Sequence, residues 1–106
     1  MIAAVTPNPA IDVTYFAPMF DPHGTTRVER VVETPGGKGI NVARVARQLG
    51  ADVTVVAPLG GTSGDWIRDT LEGDGLPVRQ VPVSGRTRRT VTIVDDSGAH
   101  PPTLTE

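Results

Sequence analysis

Two short apolar runs rich in β-branched residues, "IAAV" at 2–5 and "VTVVA" at 53–57, stand on either side of a helical pattern, and this succession leaves few folds open. Neither run alternates with polar residues, so each reads as a strand buried on both faces of a parallel sheet. Between them Val42, Val45, Ala46 and Leu49 recur at i, i+3, i+4 and i+7, while Arg44, Arg47 and Gln48 face away. That spacing predicts a helix whose valine–leucine stripe meets the core. Gly50 follows where a left-handed C-cap is common, and "ADVTVV" restarts as a strand. Parallel neighbours need a crossover rather than a hairpin, so the unit is β-α-β and the class α/β.

The first strand and its helix are separated by a long excursion, residues 12–35. "DVTYFA" and "TTRVERVVE" alternate or nearly alternate, with "PMFDPHG" as the turn between them. This is the pattern of half-exposed antiparallel strands, expected to form a lid projecting from the sheet edge. After the second core strand "PLGGTSG" is a Gly-rich turn. Ser63 is placed to N-cap a second helix through about Glu72 that buries Trp66, Ile67, Thr70 and Leu71. "VRQVPV" and "RRTVTIVDD" read as further strands, "DSGAH" as a turn, and "PPTLTE" as a new extended segment. Helices from one half of such a sheet leave apolar faces uncovered, so the sequence is expected to be the front part of a larger domain.

Composition narrows the function. A net charge of -2 argues against a nucleic-acid surface, which needs clustered positive charge. No apolar run approaches the ~20 residues that span a bilayer. The opening "MIAAVTPNPAID" lacks the basic start of a signal peptide, and a cytoplasmic protein is expected. There is no cysteine, and His23 and His100 alone make a poor metal site, so none is assigned.

Chemistry concentrates in "TPGGKGINVARVARQLG", Thr34 to Gly50, which holds Lys38, the only lysine beside nine arginines. Adjacent glycines allow a close backbone approach, and the free N–H groups of a first helical turn favour an anion. Lys38 adds a compact charge suited to phosphate, and Asn41 lies one turn on, able to bond a hydroxyl. A Gly-rich turn with a solvated lysine fits the local pattern equally well. Two nucleotide motifs fail. Gly39 stands where a Walker loop needs a hydroxyl after the lysine, and Val42 stands where the dinucleotide fingerprint needs glycine. Asp12, in "TPNPAID", is expected just beyond the carboxyl end of the first parallel strand, where open α/β sheets bind ligands. Its carboxylate can accept two hydrogen bonds from neighbouring sugar hydroxyls, or merely cap a turn.

"TPNPAID", "PGGKGINVARVARQLG", "PLGGTSGDWI" and "GRTRRTVTI" together closely resemble the PfkB (ribokinase-like) sugar kinases, and most of all the branch of 1-phosphofructokinases and tagatose-6-phosphate kinases. The resemblance runs through essentially all 106 residues in order. It implies the N-terminal part of a Rossmann-like parallel sheet with helices and an inserted β lid, with lid strands at about 12–34 and from about 87 onward. It further implies ATP- and Mg2+-dependent phosphorylation of a ketohexose phosphate, and a homodimer paired through the lid. Asp12 would then bind sugar hydroxyls, Gly36, Gly37 and Asn41 would frame the sugar, and Lys38 and Arg88 would meet the phosphate it already carries. Arg27 in "TTRV" matches an arginine of the family's "NRV" segment. Its usual Asn neighbour is Thr26 here, and a surface lid arginine is the equal alternative.

The family's Gly-Ala-Gly-Asp motif, with its general-base aspartate, is missing, as are the adenine pocket and the Asn-x-x-Glu that organises magnesium. "TSGD" at 62–65 imitates the motif in the wrong place. Phosphoryl transfer rests on positioning and electrostatic stabilisation, so the 106 residues alone are expected to be inactive and marginally stable. The complete enzyme is expected to convert fructose 1-phosphate to fructose 1,6-bisphosphate, with tagatose 6-phosphate as the other acceptor. A non-catalytic remnant that at most binds sugar phosphate is the reading from a different class.

Overall fold

The computed structural model describes all of residues 1–106. The elements run β1 (Ile2–Val5), β2 (Ala10–Phe16), β3 (Arg30–Gly36), α1 (Lys38–Gln48), β4 (Val53–Leu59), α2 (Gly61–Gly73), β5 (Val78–Pro82), β6 (Arg88–Val94) and β7 (Thr103–Thr105). They build two compact units, one from Met1–Ile11 with Pro35–Arg88, the other from Asp12–Thr34 with Arg89–Glu106.

The first unit holds a three-stranded sheet in the order β1-β4-β5, parallel throughout. Ile2 pairs with Val53 and Val5 with Val56, while Val55 pairs with Val78 and Pro58 with Val81. The order advances one way across the sheet, and right-handed crossovers then lay α1 and α2 on the same face. Burial along β4 follows: Val53, Val55, Ala57 and Leu59 are buried, whereas Thr54, Val56 and Pro58 are half-buried. Across the ladder on that second face Val5 and Val81 stand exposed. The expectation that these runs are buried on both faces therefore fails here, because the 106 residues supply helices for one face only.

The helix α1 forms where the spacing put it, but it turns the other way. Ile40 and Ala43 are the buried positions, and Val42, Val45 and Leu49 are 60%, 56% and 82% exposed. Small Ala43 lets the helix sit close to the sheet, and the valine–leucine stripe looks outward. Gly50 ends α1 at φ 88, with its N–H on the Arg47 carbonyl and that of Ala51 on Ala46, as the sequence led one to expect.

The α2 start also departs from expectation. Its N-cap is Gly60, and Ser63 lies inside the first turn, donating its hydroxyl to the Thr87 carbonyl at 2.7 Å. Ile67 and Leu71 are buried, with Trp66 and Thr70 half-buried. The outer side of α2 is charged: Arg68 lies near Asp65, Asp69 and Glu72 and donates to Gln80 of β5 at 3.0 Å.

The second sheet runs β3-β2-β6-β7, with β6 and β7 antiparallel. Its third strand in sequence starts later than the alternation of "TTRVERVVE" suggests, at Arg30, so Arg27 lies before the strand rather than in it and is exposed. The Glu29 N–H reaches the Phe16 carbonyl at 2.8 Å, and the Arg30 guanidinium stacks 4.0 Å from the Phe16 ring centre. These contacts close the 17–29 connection, which the sequence left as a shorter turn.

Asp95 closes the other loop of this unit. The Ser97 hydroxyl, then the backbone N–H groups of Phe20 and Ser97, hold its carboxyl below the ordinary 3.8. A carboxylate depressed in the folded state contributes stability above the unfolded value, and this is lost as the pH falls through the lower folded one. An NMR titration is expected to give Asp95 a midpoint under 3.8, and Ser97→Ala to move it back upward. An unmoved midpoint in that variant would remove the hydroxyl as the leading cause.

Candidate functional site

In the first unit the segment between β1 and β2 carries the geometry. Thr6 follows β1, its N–H bonded to Val56 at 2.8 Å, and its side chain is 1% exposed. It lies under the "GGKG" turn. A Cβ on Gly37 would come 2.7 Å from Thr6 Cγ2, and one on Gly39 would strike Thr6 Oγ1 and approach the Val5 carbonyl oxygen at 2.6 Å. Gly37 is also the N-cap of α1 at φ 129, a conformation that side chains rarely adopt. Both glycines are thus required by packing on Thr6.

Gly36 ends β3 and is buried. Lys38 is the first residue of α1, exposed and outside the protein's salt bridges. Asn41 N–H closes the first turn on the Gly37 carbonyl at 2.9 Å, and its exposed amide oxygen accepts from Arg44 at 3.4 Å. No side chain caps this helix start, so its N–H groups remain free to meet an anion.

Arg88 opens β6, and its guanidinium donates to the Asn8 carbonyl at 3.2 Å. The same carbonyl oxygen lies 3.6 Å from where a Gly37 Cβ would stand. Asn8 therefore sits between the glycine turn and Arg88, and brings two segments about fifty residues apart to one end of the unit. A recess of about 190 Å³ opens there, lined by Asn8, Pro9, Pro58, Arg86, Thr87 and Arg88. Two buried polar atoms have no protein partner, Thr6 Oγ1 under the glycine turn and Nε of Arg88, a residue of the recess lining. Buried polar atoms are normally paired, so an orphan such as Arg88 Nε suits a polar ligand or water.

Arg88 is held from behind. Thr87 gives its N–H to the Gly60 carbonyl at 3.0 Å and takes the Gly60 N–H on its hydroxyl at 3.1 Å, besides accepting Ser63. Thr6 and Thr87 were not singled out from sequence. The available signal was their place, directly after an apolar strand run and directly before the arginine.

Asp12 lies beyond the end of β1, belongs to the second unit and is the third residue of β2, the lid strand expected from "DVTYFA". That strand begins two residues earlier than expected, at Ala10, drawn there by "AIDV". Asp12 Oδ1 accepts the Thr90 hydroxyl at 2.7 Å, and the residue is half-buried. No three His, Asp or Glu side chains gather as a metal-ligand cluster.

The profile of the pfkB family carbohydrate kinases matches residues 5–105. The chain belongs to that family. A 1-phosphofructokinase from Haloferax volcanii is 43% identical over 101 residues, which make up 94% of this chain and 33% of the relative. Among solved structures, phosphofructokinase-2 from Escherichia coli in complex with fructose 6-phosphate superposes with a TM-score of 0.90 at 30% identity, over 99% of this chain and 35% of that one. The tetrameric inhibited form of the same enzyme gives a TM-score of 0.89 at 30% identity, over 99% and 34%. This chain thus spans about a third of the length of these relatives. Its architecture is that of the ribokinase-like phosphofructokinases, with the parallel sheet and helices of their α/β class.

Proposed function

We propose that this chain is the sugar-phosphate-binding part of an ATP-dependent kinase that transfers the γ-phosphoryl group of ATP to the C6 hydroxyl of fructose 1-phosphate. The observation that carries the reading is the identity with a 1-phosphofructokinase across 94% of the chain. The helix start beside Lys38, with Arg88 across Asn8 and its buried Nε unpaired, has the chemistry a phosphate needs. Lys38 and Arg88 take the phosphate already on the sugar, while Gly36, Gly37 and Asn41 frame the sugar. Asp12 accepts from its hydroxyls, and Arg27 is an additional phosphate contact. ATP and Mg2+ act in the complete enzyme through residues this chain does not contain, and the 106 residues alone are inactive. The complete enzyme is a cytoplasmic homodimer paired through the second sheet.

Fructose 6-phosphate is the second acceptor to weigh, because the Escherichia coli neighbour is seen in complex with it. An NMR titration of the chain with fructose 1-phosphate, fructose 6-phosphate, tagatose 6-phosphate and ATP separates the readings. Fructose 1-phosphate is expected to shift the resonances of Gly37, Lys38, Asn41 and Arg88 at the lowest concentration, and ATP to leave them in place. Shifts by ATP at those residues, or by no sugar phosphate, would sink the proposal.

A further inference from the structure

Where β6 meets β7, one face of the second sheet is built from hydroxyls. The threonines of "TVTI" alternate with Val91 and Ile93, and in β7 Thr103 and Thr105 flank Leu104. The antiparallel register sets Thr90 opposite Thr105 and Thr92 opposite Thr103, so the four side chains share a face. Thr92 and Thr103 satisfy each other, hydroxyl to hydroxyl at 3.2 Å. Thr90 does not follow them. It turns its proton to β2, on the other side of β6, and donates to Asp12 Oδ1 at 2.7 Å. That bond fixes what each partner has left. A hydroxyl carries one proton and two lone pairs, so a threonine that has given its proton can only accept. A carboxylate accepts through either oxygen, and the hydrogen bond of Asp12 ends on Oδ1, which leaves Oδ2 open. Both residues are half-buried, so both oxygens can still be reached from outside.

We infer that Thr90 is a specificity-determining residue, and that with Asp12 it selects two hydroxyls on adjacent carbons of the sugar. Asp12 takes one of them on Oδ2, and Thr90 Oγ1 takes its neighbour. The pair offers two acceptors and no donor, so it matches a diol, which has two protons to give. It does not match an ether or carbonyl oxygen, which brings only lone pairs. The threonine also stops the carboxylate from turning to accept both hydroxyls by itself. The inference deepens the proposed function and rests on its reading of Asp12 as a sugar ligand. What it adds is a second accepting atom, supplied by β6, and the requirement that the two hydroxyls be neighbours.

Calorimetry on the whole chain tests this with fructose 1-phosphate and with analogues of it that lack the C2, C3 or C4 hydroxyl. Thr90→Val keeps a β-branched side chain in the strand, and its circular dichroism is expected to be unchanged. It is expected to weaken fructose 1-phosphate binding roughly 10-fold, and Thr90→Ser, which keeps the hydroxyl, to stay within about 3-fold of the unaltered chain. A site built to bond a hydroxyl rejects the analogue without it, so the unaltered chain is expected to bind two of the three analogues more weakly than the parent sugar. For one of these the penalty is expected to vanish in Thr90→Val, because the hydroxyl it lacks is the one Thr90 accepted. Equal weakening by valine and serine, or penalties that all persist in Thr90→Val, would reduce Thr90 to a strand residue and overturn the inference. Asp12→Ala tells its failure from that of the functional reading. If Asp12→Ala weakens fructose 1-phosphate binding and Thr90→Val does not, the inference falls and the sugar-binding role of Asp12 stands. If neither does, both fall.

Discussion

Lys38→Met is expected to weaken fructose 1-phosphate binding roughly 10- to 100-fold while leaving the melting temperature unchanged. Both halves follow from the position of the side chain. Lys38 is exposed and forms no salt bridge, so its removal takes nothing from the folded state. A charge-assisted bond to phosphate contributes about 1.5–3 kcal/mol, and methionine of similar length keeps the helix. Calorimetry with fructose alone supplies the control, since the loss belongs to the phosphate. An equal loss for the unphosphorylated sugar would show that the turn, not the charge, had been damaged. Unchanged binding of fructose 1-phosphate would return Lys38 to a solvated lysine and the chain to an α/β domain without this ligand.

The second large effect runs against helix propensity. Gly39 lies in the first turn of α1, where alanine is intrinsically favoured by about 1 kcal/mol. Yet a Cβ there meets the Thr6 hydroxyl and comes 2.6 Å from the Val5 carbonyl oxygen and 3.0 Å from its carbon. The side chain could rotate, but the strand backbone, tied to β4, is not free to withdraw. Overpacking of this kind costs about 3 kcal/mol, so the clash outweighs the propensity gain and Gly39→Ala is expected to lose ~2 kcal/mol. In a domain of this size that is a fall of about 10 °C in Tm by calorimetry. Thr6→Gly in the same chain removes the hydroxyl but not the carbonyl, and is expected to restore only a minor part. Gly39→Ala with an unaltered Tm would mean that α1 can shift away from β1 at no cost.

What the sequence made legible was what local periodicity encodes. The β-α-β unit, the Gly50 cap and the extended "PPTLTE" are properties of short segments, and each is found where the residues put it. The face of α1 was not legible, because that helix has two apolar sides. The pattern of Val42, Val45 and Leu49 is the longer one, but the sheet selects the pair that fits closest, Ile40 with Ala43. Periodicity reports that a helix will bury something and is silent about which side this chain buries. Ser63 misled for a related reason. A hydroxyl near a helix start reads as a cap, whereas here the Thr87 carbonyl, 24 residues on, claims it and glycine takes the cap position. The start of β2 was read two residues late because prolines 7 and 9 obscured how soon that strand begins. The pairing of Arg88 with Asn8 spans 80 residues, and no local signal encodes a contact of that range.

Thr87 commits its N–H, carbonyl and hydroxyl to the first turn of α2, immediately before Arg88. The arginine's position is therefore set by a helix start some 25 residues earlier rather than by the intervening loop. Over evolutionary time this separates two kinds of change. The side chain at Ser84 can drift while the anchor holds, whereas a change at Gly60 or Thr87 moves Arg88 without touching it. Gly60 is confined twice over, since a Cβ there would strike the backbone of the same loop at Gly85 and Val83. The latitude of the loop is bounded by a threonine and a glycine, neither of which bears a charge.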